Sequence, residues 1–180
     1  FVAYFSFIVV VILGNLKYNK LHAEPELKVH ILLDVIVPFK NESSNLDRFF
    51  DHLSRQSYPS HYYTVYFVND NSNDDSMAKV EAFCKDKPNC FVLNNSGEGK
   101  KQALISAFKQ SKNDVIVLTD ADSLCDEDWL LAHARHYSKY SPDMLIGNVC
   151  MTTNKYSIWN LLQLLEYKSV EVSTIGMAAG

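Results

Sequence analysis

From Ile31 onward two hydrophobic periods alternate along the chain, and they predict strands followed by helices. Ile31 to Phe39 (ILLDVIVPF) reads as a first strand, stopped by Pro38. Ser43 and Ser44 can cap a helix whose apolar positions Leu46, Phe49, Phe50 and Leu53 follow the i, i+3, i+4, i+7 spacing. Ser57-Tyr58-Pro59-Ser60 breaks that helix, and Tyr63 to Val68 forms a second strand. The polar run Asn69 to Asp74 follows and also caps a helix with Met77, Val80 and Cys84 on its apolar face. Asn89 to Leu93 is a short third strand, Asn94 to Gly99 is a loop, and Lys100 opens a helix with Ala103, Leu104, Ala107 and Phe108 on one face. The fourth strand, Asp114-Val115-Ile116-Val117-Leu118, has the β-branched apolar run expected of a strand buried on both faces in mid-sheet. Asp126-Glu127-Asp128 place acids at the positive end of a helix carrying Trp129, Leu130 and Tyr137. Met144 to Val149 reads as a fifth strand, and Ile158, Leu161, Leu162 and Leu165 as the stripe of a last helix reaching Val172.

Strand–helix alternation at this spacing means βαβ units, so the expected fold class is α/β: a mostly parallel sheet with helices on both faces. An N-terminal apolar helix is expected before it, because Phe1 to Leu13 is apolar except for Ser6. The run is shorter than the roughly 20 residues a spanning helix needs, yet it is already apolar at its first residue and so reads as the tail of a longer span. A signal peptide is the rival reading, but a charged leader and a clean small-residue cleavage site are both missing. Lys17, Lys20 and His22 follow at once and mark a cytoplasmic flank. The chain then divides into a transmembrane helix over 1–16, a polar linker over 17–28 and a domain over 29–180, held at an inner or plasma membrane with the domain in the cytoplasm.

Composition narrows the partners. At 180 residues, 47% hydrophobic and 21% charged, the chain has material for one good core and no long disordered tract. A formal charge of −4 leaves no basic stripe for a nucleic-acid polymer. Cys84, Cys90, Cys125 and Cys150 form no C-x-x-C pair and read as small buried thiols in a reducing compartment. His133 and His136, three apart, have no third ligand nearby in the sequence and read as an exposed helix face rather than a zinc site.

Candidate chemistry collects behind the strands. Lys40-Asn41-Glu42 follows the first, Asn69-Asp70 the second, Gly97 to Lys101 the third and Asp120-Ala121-Asp122 the fourth. In open α/β sheets ligands bind beyond the carboxyl ends of the strands, where all four clusters would lie. Capped helices explain each cluster singly, and Asp74 and Asp126 are left to that reading. Two carboxylates converging at Asp120 and Asp122 repel unless a cation neutralises them, and hard oxygen ligands suit Mg²⁺ or Mn²⁺. Gly97 and Gly99 let backbone approach a ligand, while Lys100 or Lys101 adds positive charge at a helix N-terminus, which suits phosphate. Neither G-x-G-x-x-G nor a P-loop is present, so dinucleotide and ATPase readings are disfavoured. A metal-bridged diphosphate beside Asp122, with base and ribose toward Glu42 and Asp70, fits the rim.

Four motifs in this order are similar to those of the family 2 glycosyltransferases of the GT-A fold: Val35-Ile36-Val37-Pro38-Phe39-Lys40-Asn41-Glu42, Val68-Asn69-Asp70-Asn71-Ser72-Asn73-Asp74, Gly99-Lys100-Lys101-Gln102-Ala103-Leu104 and Thr119-Asp120-Ala121-Asp122. The likeness covers about Leu32 to Gly147. It implies a transferase that moves a sugar from a UDP- or GDP-linked donor to a saccharide, lipid or protein acceptor by metal-assisted, inverting displacement. It implies further that Pro38 and Glu42 line the nucleotide pocket, that Asp70 hydrogen-bonds the base, and that Lys100 sits near the base or phosphates. Asp120 would contact ribose or the metal, and Asp122 would coordinate the metal. The family often has two acids where this chain has Asn69-Asp70, which bears on nucleotide choice. The acceptor half that carries the acidic general base in the family has no counterpart up to Gly180, so that base is expected beyond Gly180, with Glu166 and Glu171 on a helix surface. The alternative is a non-catalytic, receiver-like domain that binds nucleotide and Mg²⁺. Such a domain needs an acid pair after its first strand, where Pro38-Phe39-Lys40-Asn41 stands.

Overall fold

A computed structural model describes residues 29–147, 157–160 and 162–163. The chain divides into two compact units, Lys28–Asp143 in one and Phe1–Leu27 with Met144–Gly180 in the other. The first holds strands β1 (Leu33–Phe39), β2 (Tyr63–Asn69), β3 (Cys90–Asn94) and β4 (Val115–Leu118), with helices α1 (Ser43–Ser54), α2 (Ser76–Cys84), α3 (Lys100–Phe108) and α4 (Trp129–Tyr140). In the second, Met144–Gly147 forms no strand, and residues 158–160 and 162–163 are helical. The remainder of the expected fifth strand and last helix, and the apolar segment Phe1–Leu13, lie outside the described residues. Among the described residues no helix is long and apolar enough to cross a membrane.

The four strands pair in parallel in the order β3-β2-β1-β4. β1 is central because its sequence can tolerate burial on both sides: Leu33, Asp34, Val35, Ile36 and Val37 are all fully buried. Successive side chains of a strand point to opposite faces, so β1 feeds two cores. Val35 and Val37 join Val65, Phe67 and Val117 in a large core with Leu46, Phe49, Phe50 and Leu53 of α1, Val80 of α2, and Leu130 and Ala134 of α4. Phe67 is gripped edge-on by Phe49 at 6.1 Å and Phe50 at 5.8 Å, a geometry the aromatic quadrupole favours. On the other face Ile36, Tyr66 and Val68 meet Ala103 and Ala107 of α3, whose small side chains let that helix lie close. Helices on both faces of a parallel sheet are as the sequence implied.

Two expectations are corrected. Pro38 does not stop β1: the strand runs through it, with Pro38 opposite Val68 and Phe39 opposite Asn69. β4 is not buried on both faces. Among the described strands it is an edge, with Val117 buried but Ile116 37% and Leu118 51% exposed on the face shared with Ile36. An apolar run reports affinity for burial, and nothing in the described unit covers that side.

Asp34 is the exception inside the apolar strand. Its buried carboxylate accepts from Ser111 Oγ (2.6 Å), the Lys112 and Asn113 backbone N–H groups (2.8 and 3.0 Å) and Asn113 Nδ2 (2.8 Å). A buried carboxylate is tolerable only when so satisfied. The arrangement pins the turn between α3 and β4 at the end of the sheet away from the polar rim.

Candidate functional site

The rim at the carboxyl ends of the strands is built by short polar side chains that bond across from one loop to the next. After β1, Asn41 adopts a left-handed conformation (φ 56°), which Asn tolerates better than most residues. Its backbone N–H donates to Ser72 Oγ (3.1 Å), and its Oδ1 accepts from the Asn73 N–H (2.8 Å). The Glu42 N–H donates to Ser76 Oγ (2.8 Å), a fully buried serine at the start of α2. Asp74 spans two helix starts, accepting from the Ser43 N–H (3.2 Å) and the Ser76 N–H (3.0 Å); the Ser76 hydroxyl first, and these backbone N–H groups after it, hold its carboxyl below the usual carboxylate range. The capping role expected of Asp74 is thus present, and it extends to the neighbouring loop.

The β2 and β3 loops are joined more tightly. The ladder continues past the strands, with the Asp70 N–H on Phe39 O and the Asn95 N–H on Asn69 O, each at 2.9 Å. Asn69 Oδ1 caps the turn by accepting from the Ser72 N–H (2.9 Å), while its Nδ2 donates to Asn94 Oδ1 (3.3 Å). An amide does both, which a second acid at this position would not. Asn71, also left-handed, donates from Nδ2 to Gly97 O (3.0 Å). Asp70, 6% exposed, accepts at Oδ1 from Asn95 Nδ2 (2.7 Å) and the Gly99 N–H (3.0 Å). Gly99 can present that N–H because its φ is +86°, a conformation that strains any residue with a Cβ. A Cβ there would meet nothing within 4 Å, so the constraint is conformational and space beside the loop is open.

The fourth cluster is attached differently. Lys100, in the first turn of α3, donates from Nζ to Asp120 Oδ1 at 2.6 Å, with side chains 60% and 52% exposed. Thr119 N–H reaches Ile36 O (3.2 Å), and the Ser123 N–H folds back on Asp120 O (3.1 Å) to form the turn that carries Ala121 and Asp122. Ala121 is buried and Asp122 is exposed. Among the described residues no three His, Cys, Asp or Glu side chains gather at one point; Asp120 and Asp122, one residue apart on this turn, carry hard carboxylate oxygens. That donor set fits a hard divalent cation that keeps positions for phosphate oxygens and water.

The structure therefore brings Asp70, the Gly97–Lys100 segment and Asp120 into one connected rim. Glu42 caps α1: its carbonyl accepts from the Asn45 and Leu46 N–H groups, and its carboxylate takes Asn45 Nδ2 at 2.7 Å. Pro38 lies half-buried in β1, one residue before the Phe39 carbonyl that holds the Asp70 N–H. Asn95 was not singled out in the sequence, where Asn94-Asn95-Ser96 reads as an ordinary loop; the available signal was Asn95-x-Gly97, a spacing suited to an Asx turn. The turn is present, with the Gly97 N–H on Asn95 Oδ1 at 3.1 Å. Away from the rim, Cys84 and Cys125 are buried thiols, and burial pushes Cys125 up to about 11. Cys90 is half-buried, and Cys150 lies outside the described residues. His133 is half-buried beside Trp129 rather than on an exposed face, and burial lowers its pKa.

Three kinds of comparison relate the chain to known proteins. The family model "Glycosyl transferase family 2" matches residues 34–173. The chain is similar to glycosyltransferase AglE of Haloferax volcanii, 26% identical over 121 residues, covering 67% of this chain and 40% of that protein. It thus spans about two fifths of the length of that curated relative. Among solved structures it is similar to S. aureus TarS 1–349 in complex with UDP-GlcNAc, with TM-score 0.57, 25% identity, and coverage of 71% of this chain and 37% of that one. It also resembles the mannosyltransferase PcManGT from Pyrobaculum calidifontis in complex with GDP-Man and Mn²⁺, with TM-score 0.56, 23% identity, and coverage of 87% and 47%. A parallel α/β sheet of GT-A type, its polar clusters on one rim and the family match over most of its length lead to one conclusion: this chain belongs to glycosyl transferase family 2.

Proposed function

We propose that the rim binds the nucleoside diphosphate of a sugar donor and that the protein transfers the sugar to a saccharide, lipid or protein acceptor. The observation that carries this reading is the link between Asp70 and Asp120, in which the Gly99 N–H binds one carboxylate and the adjacent Lys100 Nζ binds the other, joining the polar loops behind β2, β3 and β4 through one glycine–lysine step. Relatives support it: TarS is described with UDP-GlcNAc and PcManGT with GDP-Man and Mn²⁺. In the proposed site Asp70 faces the base, and Pro38 and Glu42 border the nucleotide pocket from the β1 side. Lys100 lies near the phosphates, Asp120 by the ribose or the metal, and Asp122 on the metal. A divalent cation, Mg²⁺ or Mn²⁺, would supply Lewis-acid stabilisation of the diphosphate as negative charge grows on it in departure. The protein's own groups contribute orientation: Gly99 places open backbone beside the ligand, and Lys100 brings a cation to the same end of α3. The general base that would deprotonate the acceptor is not assigned to any residue here.

The test is calorimetric titration of UDP and GDP with and without Mn²⁺. Affinity should depend on the cation, and Asp122→Asn should remove most of that dependence, about 10²-fold. Equal affinity of mutant and wild type with metal present would overturn the metal assignment. We also propose membrane attachment through Phe1–Leu13 with the domain on the cytoplasmic side, supported by the apolar run and by Lys17 and Lys20 behind it. Recovery of the full-length protein in the soluble fraction without detergent would contradict it.

A further inference from the structure

The stretch between the acid pair and α4 has no regular secondary structure, yet its backbone is held at three successive carbonyls. Cys125 O meets His52 Nδ1 at 2.9 Å, Asp126 O accepts from Gln56 Nε2 at 2.7 Å, and Glu127 O accepts from the Ser57 N–H at 2.8 Å. A carbonyl only accepts, so His52 Nδ1 carries the hydrogen. All three donors belong to the last turn of α1 and the residues just after it. One side chain adds to the attachment, Ser57 Oγ donating to Asp128 Oδ1 at 2.6 Å.

Gln56 is the centre of this clamp. Besides Asp126 O, its half-buried Nε2 reaches His52 O at 3.3 Å. Its Oε1 accepts from the Leu130 N–H at 3.0 Å, one of the donors that the first turn of α4 leaves without an intrahelical partner. Turning the amide over would set an oxygen against two carbonyls and an NH₂ against an N–H, so only one orientation satisfies the site. Gln56 thus ties the end of α1, the Asp126 carbonyl and the start of α4 into one unit. The acids hang between that unit and the sheet, where the Thr119 N–H holds Ile36 O at 3.2 Å. Exposed Asp122 precedes Cys125 by only three residues, a tether of at most about 10 Å, so slack introduced at the clamp reaches its carboxylate.

We propose that Gln56 is a positioning residue for the acid pair: by holding the Asp126 carbonyl to the end of α1, it fixes where Asp122 meets a divalent cation. This rests on the reading of Asp122 as a metal ligand. With its amide spent on His52, Asp126 and Leu130, Gln56 acts through the loop and not on the ligand. A carboxylate on a slack turn must be ordered when the cation binds, and that ordering weakens affinity. A carboxylate whose backbone is already placed needs little of it. Groups that support a metal ligand without touching the metal typically change metal affinity by about 10- to 100-fold. Gln56 supports Asp122 from several residues away, so the lower end of that range, about 10-fold, is the expected effect.

The test separates metal affinity from everything a looser fold would change. Full-length protein with saturating UDP is titrated with Mn²⁺, the free ion being followed by electron paramagnetic resonance, and UDP is titrated separately without metal. Gln56→Ala should weaken Mn²⁺ about 10-fold and leave metal-free UDP affinity unchanged. Gln56→Glu isolates the contact. Its carboxylate can still accept the Leu130 N–H but cannot donate to Asp126 O, so it should lose as much Mn²⁺ affinity as Gln56→Ala. Ser57→Ala removes the exposed bond to Asp128 and keeps the backbone bond to Glu127 O, and should stay within about 2-fold of wild type. Wild-type Mn²⁺ affinity in Gln56→Ala or Gln56→Glu, with Asp122→Asn weakened, would overturn the proposal and leave the metal site standing. So would a parallel loss of Mn²⁺ and metal-free UDP affinity in Gln56→Ala, the mark of a generally loosened domain. If Asp122→Asn binds Mn²⁺ as the wild type does, the metal reading itself falls, and this proposal with it.

Discussion

The two halves of the rim are held by different means. On the side of β1, β2 and β3, loops bond to one another through Asn41, Asn69, Ser76 and Asn95, with Ser76 fully buried and Asn69 and Asn95 nearly so. On the side of β4, the acid pair is exposed and is tied across to α3 by one ion pair. Buried, satisfied hydrogen bonds survive without a ligand, whereas an exposed ion pair contributes about 0–1 kcal/mol and is screened by salt. The contrast suggests a division of labour in the proposed site. Base recognition is preorganised, so little ordering is needed on binding, while the diphosphate end is completed by what binds there.

The comparison can be broken first at β4. That strand is firmly held, but at the end away from the acids, by Asp34. Asp34→Ala would leave Ser111, Lys112 and Asn113 donors without their acceptor, and should cost about 3 kcal/mol or more in urea denaturation. A loss under about 1 kcal/mol would mean the turn re-solvates easily and β4 is loose at both ends.

A smaller effect should appear on the preorganised side. Ser76→Ala leaves the half-buried Glu42 N–H without its acceptor and should destabilise by about 1–3 kcal/mol. Asp122→Ala, at an exposed turn, should stay within about 0.5 kcal/mol in the same assay. Equal losses for the two variants would erase the distinction between the halves.

The smallest effect is a pH dependence beyond the acid pair, in α4. His133 is half-buried against Trp129, and burial first, then the neighbouring His136, hold its pKa below the ordinary 6.5. Because the folded value lies below the unfolded one, the unfolded chain takes up the proton first. Stability is therefore complete above pH 6.5 and declines as pH falls from there toward the folded value. Thermal melts from pH 7.5 down to 5 should show that decline in wild type and a flatter profile in His133→Asn. Superimposed profiles would place the titration elsewhere.

How far the sequence disclosed all this varies with the residue. The strand–helix alternation was legible because helix and strand periods are local properties of the chain, and Asn69–Asp74 stood out as a polar run behind an apolar strand. Asp70 was legible for the same reason. Its partner Asn95 was not, since the pairing joins residues 25 apart and depends on the parallel register of β2 with β3. The edge position of β4 was hidden too: Val115-Ile116-Val117-Leu118 carries the same letters whether or not a neighbour covers it. Glu42 was legible as a rim residue from its place after β1, but the bond its carboxylate makes to Asn45 Nδ2 was not, because spacing alone does not decide local capping geometry.

The Lys100–Asp120 contact has a consequence for the order in which ligands arrive. A tethered ammonium 2.6 Å from one acid already serves as its counter-ion, so a free divalent cation must displace it. On the proposed reading, a diphosphate bound first gives Lys100 another partner and lifts that competition. Reciprocity then requires each ligand to raise the affinity of the other by the same factor. Metal added alone should bind weakly, metal added after nucleotide should bind well, and the site would fill in sequence even though both halves of it are present from the start.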